Sequence, residues 1–290
     1  MRRLLPVPAL LLAAGLAFAG DSVPSGPNPV DAAMAAFKEG DYAKAAEAVA
    51  KVGAEDPLFP KAQYVLGEAR LAQGDAEAAE KAFRAGLDRK ADSVPLLAGL
   101  GRAQTARGAH EEAMKNLQKA AKLDAKDAVV HRALGECLAA QGKAPEARKE
   151  LEQAVKLEPK DPLAARSLVE HLLRQNDLDG AARAAEVHRA SEPRGAMGDF
   201  LRGLVLDRSK KGKDAIESYE AALAKDPRFL DAHKNLAILC VTDNPLYSNR
   251  ERTKKALEHF ARYFELGGRD DELKQTYETI KAFVEGNKGR

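Results

Sequence analysis

The sequence predicts an all-α fold, an α-solenoid of about seven helix-turn-helix repeats with a C-terminal capping helix. Three observations predict it. The segments KEGDYAKAAE, AQGDAEAAEKAF, ARGAHEEAMKNL and AQGKAPEARKEL recur every 34 residues and place glycines at 40, 74, 108 and 142. Aromatic residues make up only 5% of the 290 and Trp is absent, so Ala and Leu supply most of the apolar content; both favour helix, and a β-sandwich or barrel is excluded. Charged residues at 31% and a mean hydropathy of -0.41 describe a chain whose repeats meet water. A chain of this length ordinarily divides into two domains, but a repeat array grows without dividing.

Residues 1–19 read as a secretory leader: Arg2 and Arg3, an apolar stretch from Leu4 to Leu16, then the small-x-small triplet Ala17-Phe18-Ala19. Pro6 and Pro8 interrupt the apolar stretch, which is too short to span a membrane comfortably, so no span is expected in the mature form. No cysteine follows it for lipid attachment. The mature chain is expected to begin at Gly20 and to reside in the bacterial periplasm or outside the cell. Loss of Arg2 and Arg3 removes the whole excess of 46 Lys and Arg over 44 Asp and Glu, which leaves no global field for nucleic acid or anionic lipid. An oxidising compartment allows disulfides. Cys137 and Cys240 nevertheless fall on first helices three repeats apart, beyond bonding reach, and read as buried apolar residues. Residues 20–29 form a Ser/Pro/Gly linker.

The solenoid is expected over 30–269, in units 26–59, 60–93, 94–127, 128–161, 162–195, 196–229 and 230–269. The glycine frame continues to Asn176 and then Lys210, where the glycine has moved to Gly212. Five residues after each turn position stands an alanine: Ala45, Ala79, Ala113, Ala147, Ala181 and Ala215, with Ala256 in the last unit. A small residue recurs in the preceding helix, as at Gly67, Gly101, Gly135 and Gly203, and a bulky one follows the alanine at Phe83, Leu117, Leu151, Tyr219 and Phe260. Small residues facing one another would let the helices approach closely. Pro57, Pro159, Pro193 and Pro227 close four of the units.

These positions resemble the tetratricopeptide repeat, a 34-residue helix-turn-helix with the pattern W-x2-L-G-x2-Y, A-x3-F and P. The resemblance covers residues 26 to about 269 and implies a right-handed superhelix. The leading aromatic position departs from the pattern, holding Gln63, Leu97, His131 and His233. In the seventh unit seven residues are inserted within VTDNPLYSNRER, between Ala237 and Ala256. Residues 270–290 carry a helix whose stripe Leu273, Tyr277, Ile280 and Val284 is expected to cap the stack.

No catalytic constellation, cofactor motif or metal-ligand spacing is found, and the six histidines read as structural. The resemblance implies instead a concave surface lined by the first helices, taking an extended peptide or a partner helix. The implied lining includes Lys61, Tyr64, Glu68, Arg102, Arg132, Glu136, Arg166, Glu170, Phe200 and Lys234. Arg132 with Glu136 and Arg166 with Glu170 are i,i+4 pairs, open to two readings: self-neutralising helix pairs or partner recognition. Substitution of Arg102, Arg132, Arg166 or Glu170 is expected to change binding and not folding. In the inserted turn, Pro245, Leu246 and Tyr247 either form a second contact surface or seal the end of the solenoid. The function implied is a non-catalytic interaction scaffold or assembly factor of the bacterial envelope, the alternative being a periplasmic holdase for extended clients. The partner expected is a protein or peptide and not nucleic acid; oligomeric state is left open.

Overall fold

The computed structural model describes residues 28–242 and 249–286, which form helices joined by turns, with no strand among the described residues. The leader expected at 1–19, most of the 20–29 linker, and Pro245, Leu246 and Tyr247 lie outside the described residues. In chain order the helices are α1 (Pro29–Lys38), α2 (Tyr42–Val49), α3 (Phe59–Ala72), α4 (Ala76–Arg89), α5 (Val94–Arg107), α6 (His110–Leu123), α7 (Ala128–Ala140) and α8 (Ala144–Leu157). They continue with α9 (Pro162–Arg174), α10 (Leu178–Ser191), α11 (Ala196–Arg208), α12 (Gly212–Lys225), α13 (Leu230–Val241), α14 (Asn249–Glu265) and α15 (Asp271–Gly286). Odd-numbered helices up to α13 are the first of each pair. The chain divides into two compact units, Met1–His171 and Leu172–Arg290, with the boundary inside α9.

The 34-residue frame is a backbone requirement. Gly40, Gly74, Gly108 and Gly142 each take a φ between +76° and +83°, the left-handed conformation that reverses the chain between paired helices. At the same position Asn176 and Lys210 adopt φ of 58° and 59°. The sixth turn therefore runs through Lys210, and Gly212, where the glycine of that turn had moved in the sequence, is the first residue of α12. The residue after the left-handed one is the N-cap of the second helix. Asp41, Asp75 and Asp177 there accept hydrogen bonds from the backbone N–H of Lys44, Ala78 and Gly180 at 3.0, 3.0 and 2.8 Å. Ala109, Lys143 and Lys211 occupy the equivalent place without a side-chain cap.

Packing within each pair differs from the expected meeting of small residues. The recurring glycines Gly67, Gly101, Gly135 and Gly203 instead face the bulky residue of their own second helix. A Cβ on Gly67 would lie 2.5 Å from the Phe83 ring, on Gly101 2.5 Å from Leu117, on Gly135 2.6 Å from Leu151 and on Gly203 2.5 Å from Tyr219. The recurring alanines from Ala45 to Ala256 are all buried.

In the first unit α1, α3, α5 and α7 pack on one another in succession, more extensively than successive second helices do, so the first helices form the inner layer. Cys137 is a free thiol buried in this unit's core, and Cys240 is one in the second unit's. In the second unit Ala237, Cys240, Ala256 and Phe260 form a core against which Leu273, Tyr277 and Ile280 of α15 pack. Of the inserted turn read over Val241 to Arg252, Asn249 to Arg252 belong to α14, where Arg and Glu favour helix.

Candidate functional site

On the inner layer of the first unit, charges meet across repeats. Glu68, Arg102, Glu136 and Glu170 hold the same position of four successive 34-residue units. Arg102 Nη1 donates to Glu68 Oε1 at 2.8 Å, joining α5 to α3. Arg132 Nη1 donates to Glu136 Oε1 at 3.0 Å, and Ser167 Oγ donates to the same oxygen at 2.7 Å, joining α9 to α7. Arg166 Nε donates to Glu170 Oε1 at 2.8 Å. Glu68 and Arg132 are each only 3% exposed, so the charges lie deep in the layer.

Burial alone would neutralise such groups, and their neighbours decide otherwise. Burial opposes the Arg102 charge, but Glu68, then Glu136 and Tyr64, hold the guanidinium pKa above its ordinary range. For Glu136 burial raises the pKa, and Arg132 and Arg102, helped by Ser167, more than reverse that, so the carboxylate titrates below its usual range. Arg132 is left half-satisfied. Its Nε and Nη2 are buried without an acceptor, and Asp161 Oδ2 is 3.9 Å from Nε. Those two nitrogens form one edge of the guanidinium, the edge that fits two acceptor oxygens.

Models of the tetratricopeptide repeat match residues 36–104, 104–169 and 200–265. The chain belongs to the tetratricopeptide repeat family. Its fold is similar to that of a tetratricopeptide repeat protein from Parabacteroides merdae, with a TM-score of 0.60 and 13% identity over 87% of this chain and 97% of that one. Yeast Tom70 is similar with a TM-score of 0.72 and 14% identity, over 92% of this chain and 59% of Tom70. PilF of Pseudomonas aeruginosa gives 0.52 and 18%, over 77% of this chain and 97% of PilF. No curated protein matches in sequence. A tetratricopeptide fold supports protein–protein interaction.

Within the tetratricopeptide frame the expected lining residues separate into distinct roles. Lys61 is half-buried at the start of α3. Tyr64 is 4% exposed, its ring 6.1 Å from Phe83, and burial followed by Glu68 pushes its phenol above the usual range, so it forms the floor of the layer. Phe200, in the second unit, is no lining residue: it is 1% exposed between Tyr219 and Phe229. Lys234, also in the second unit, places Nζ 3.0 Å from Asp270 Oδ2 and over the Tyr263 ring, tying α13 to the start of the cap. The expectation that Arg132 is replaceable at no cost to folding is corrected, because the side chain is buried and faces Glu136 and Asp161. Ser167 and Asp161 were not expected at the site; 31 residues separate Ser167 from its partner Glu136.

The histidines serve the tetratricopeptide packing. His131 and His233, at one repeat position, turn Nε2 to the carbonyl six residues before them, Ala125 at 3.0 Å and Pro227 at 3.1 Å. His171 Nε2 lies 3.1 Å from the Ala144 carbonyl. Among the described residues no group of three His, Cys, Asp or Glu side chains could hold a metal ion, and no helix is long and apolar enough to cross a membrane.

Proposed function

We propose that this chain is a non-catalytic scaffold or assembly factor of the bacterial cell envelope that holds a partner peptide or helix against the first-helix layer of residues 60–171. One observation supports the groove most: charged side chains on that layer are buried and joined across repeats, Arg102 to Glu68 and Ser167 to Glu136. Burying charges is costly unless they are paired, and the pairing fixes the layer's shape before a partner arrives. Because these charges answer one another, the layer offers shape and hydrogen bonds more than a net field, and capture is expected to depend weakly on salt.

The envelope assignment rests on the leader at 1–19 and is tested by the intact mass of exported protein, which should begin at Gly20. The groove is tested by substituting a half-buried lining residue outside the ion chain. Thr105, on α5, bonds only its own helix, through Oγ1 to the Gly101 carbonyl at 2.8 Å. Thr105→Arg should fill the groove and abolish capture with the circular-dichroism spectrum unchanged, while Lys115→Glu on the exposed side of α6 should capture normally. Normal capture by Thr105→Arg would remove the groove as the site. A holdase would instead suppress aggregation of unrelated unfolded clients, where a scaffold co-isolates one or two proteins in fixed ratio.

A further inference from the structure

Two histidines stand at the same place in two repeats and meet different partners. In the first unit His131 Nδ1 lies 2.7 Å from Glu150 Oε2 on α8. In the second, His233 Nδ1 lies 3.0 Å from His259 Nδ1 on α14. The separations are 19 and 26 residues, and the seven-residue insertion accounts for the difference, so His259 stands where Glu150 stands.

Counting hydrogens shows what the exchange does. A carbonyl oxygen only accepts, so the Nε2 bonded to it carries a hydrogen. Neutral His233, bonded to the Pro227 carbonyl, therefore has a bare Nδ1, and the hydrogen between the two Nδ1 atoms belongs to His259. One added proton leaves this contact intact wherever it lands: a charged His259 still donates from Nδ1, and a charged His233 donates its own Nδ1–H to a neutral His259 whose hydrogen has moved to Nε2. A second proton puts N–H against N–H with two positive rings in contact, and the contact cannot persist. At His131 both ring nitrogens face acceptors, the Ala125 carbonyl and the Glu150 carboxylate, and only the charged ring satisfies both at once.

We propose that the His233–His259 contact is a proton-operated clasp on the last helix pair, closed with no added proton or one and opened by the second, whereas protonation tightens the equivalent His131–Glu150 contact. Acid then loosens α13 and α14 while α7 and α8 hold.

The surrounding charges come from two helices. Asp226, just past α12, favours the charge on His233 and Arg262 of α14 opposes it; Glu220 of α12 and Glu258 of α14 favour the charge on His259 and Lys255 opposes it. Burial outweighs them. It holds His233 below its ordinary range, and burial, then His233 itself, bring His259 down to about 4. Between that value and the unfolded value near 6.5 the unfolded chain binds more protons than the folded one, so the stabilisation is full above about 6.5 and is lost as pH falls towards about 4.

The test is amide hydrogen exchange on the full chain at pH 7 and at about pH 4.5, corrected for the intrinsic pH dependence. Residues 230–241 and 249–265 should lose protection about tenfold or more at the lower pH while 128–157 keep theirs. His259→Glu, which installs the partner His131 has, should retain protection at the lower pH; if that variant does not fold at pH 7, His259→Gln takes its place with the same expectation. The proposal is overturned if 230–241 and 249–265 open no earlier than 128–157, or if the folded variant opens at the same pH as the parent protein.

Discussion

Replacing Gly135 by alanine sets two effects of opposite sign against each other. Alanine is the better helix former by about 1 kcal/mol, so propensity alone would stabilise α7. The new Cβ, however, would lie 2.6 Å from Leu151 Cγ, 2.8 Å from Cδ2 and 3.1 Å from the backbone oxygen of Ala147. Leu151 is 1% exposed and has nowhere to turn, and the carbonyl belongs to the helix that the pair is built on. Overpacking of this kind costs about 1–3 kcal/mol. The net expectation is a destabilisation of about 0–2 kcal/mol, read as an earlier midpoint in urea and as faster amide exchange across 128–157. Leu151→Ala alone should cost about 2–5 kcal/mol. Combined, the two should cost less than their sum by about 0.5 kcal/mol or more, because the added methyl enters the space the leucine leaves. Gly53, with nothing within 4 Å of a Cβ, is the comparison, and Gly53→Ala should leave the midpoint unchanged or slightly raised. A Gly135→Ala protein more stable than its parent would refute the argument that the small residue exists to admit Leu151.

Lys211→Asp should restore the missing N-cap of α12 and place an anion at its N-terminus, stabilising the second unit by about 1 kcal/mol; thermal unfolding checks it, and no gain would mean that the cap is not limiting. Lys210→Gly should relieve a left-handed residue whose strain is about 1–2 kcal/mol, offset in part by glycine's entropy in the unfolded chain, so a gain of about 0.5–1 kcal/mol is expected from urea titration.

Much of the fold was legible because the turn demands one backbone conformation at one place. Only a residue that tolerates positive φ reverses these helices cheaply, so glycine marked the frame at 40, 74, 108 and 142, and Asn176 marked it next. Lys210 shows the limit of that signal: the conformation persists when the preferred residue does not, and the nearby Gly212 pointed two residues too far along. The groove was legible only in part. The i,i+4 partners of Arg132 and Arg166 follow from helix geometry, but the bond from Arg102 to Glu68 spans one whole repeat, and the change of sign from Glu68 to Arg102 at a single repeat position was the signal that marks it. The pairing of His233 with His259 was hidden by the insertion, which takes the second residue out of the frame that would have aligned it with Glu150.

The bond between Glu68 and Arg102 also bears on how such a gene can change length. Recombination between similar segments removes or duplicates whole repeats, and the glycine-turn frame alone would tolerate any cut of 34 residues. The ion chain does not. Loss of residues 94–127 would bring Glu68 beside Glu136, two carboxylates where an arginine had stood between, while loss of 128–161 would leave Arg102 facing Glu170, a pair of opposite sign. Glu136 and Glu170 already stand in adjacent repeats, but each meets an arginine of its own helix, Arg132 and Arg166; Glu68 has Tyr64 at that place and meets Arg102 of the next repeat, so the third repeat is less dispensable than the fourth.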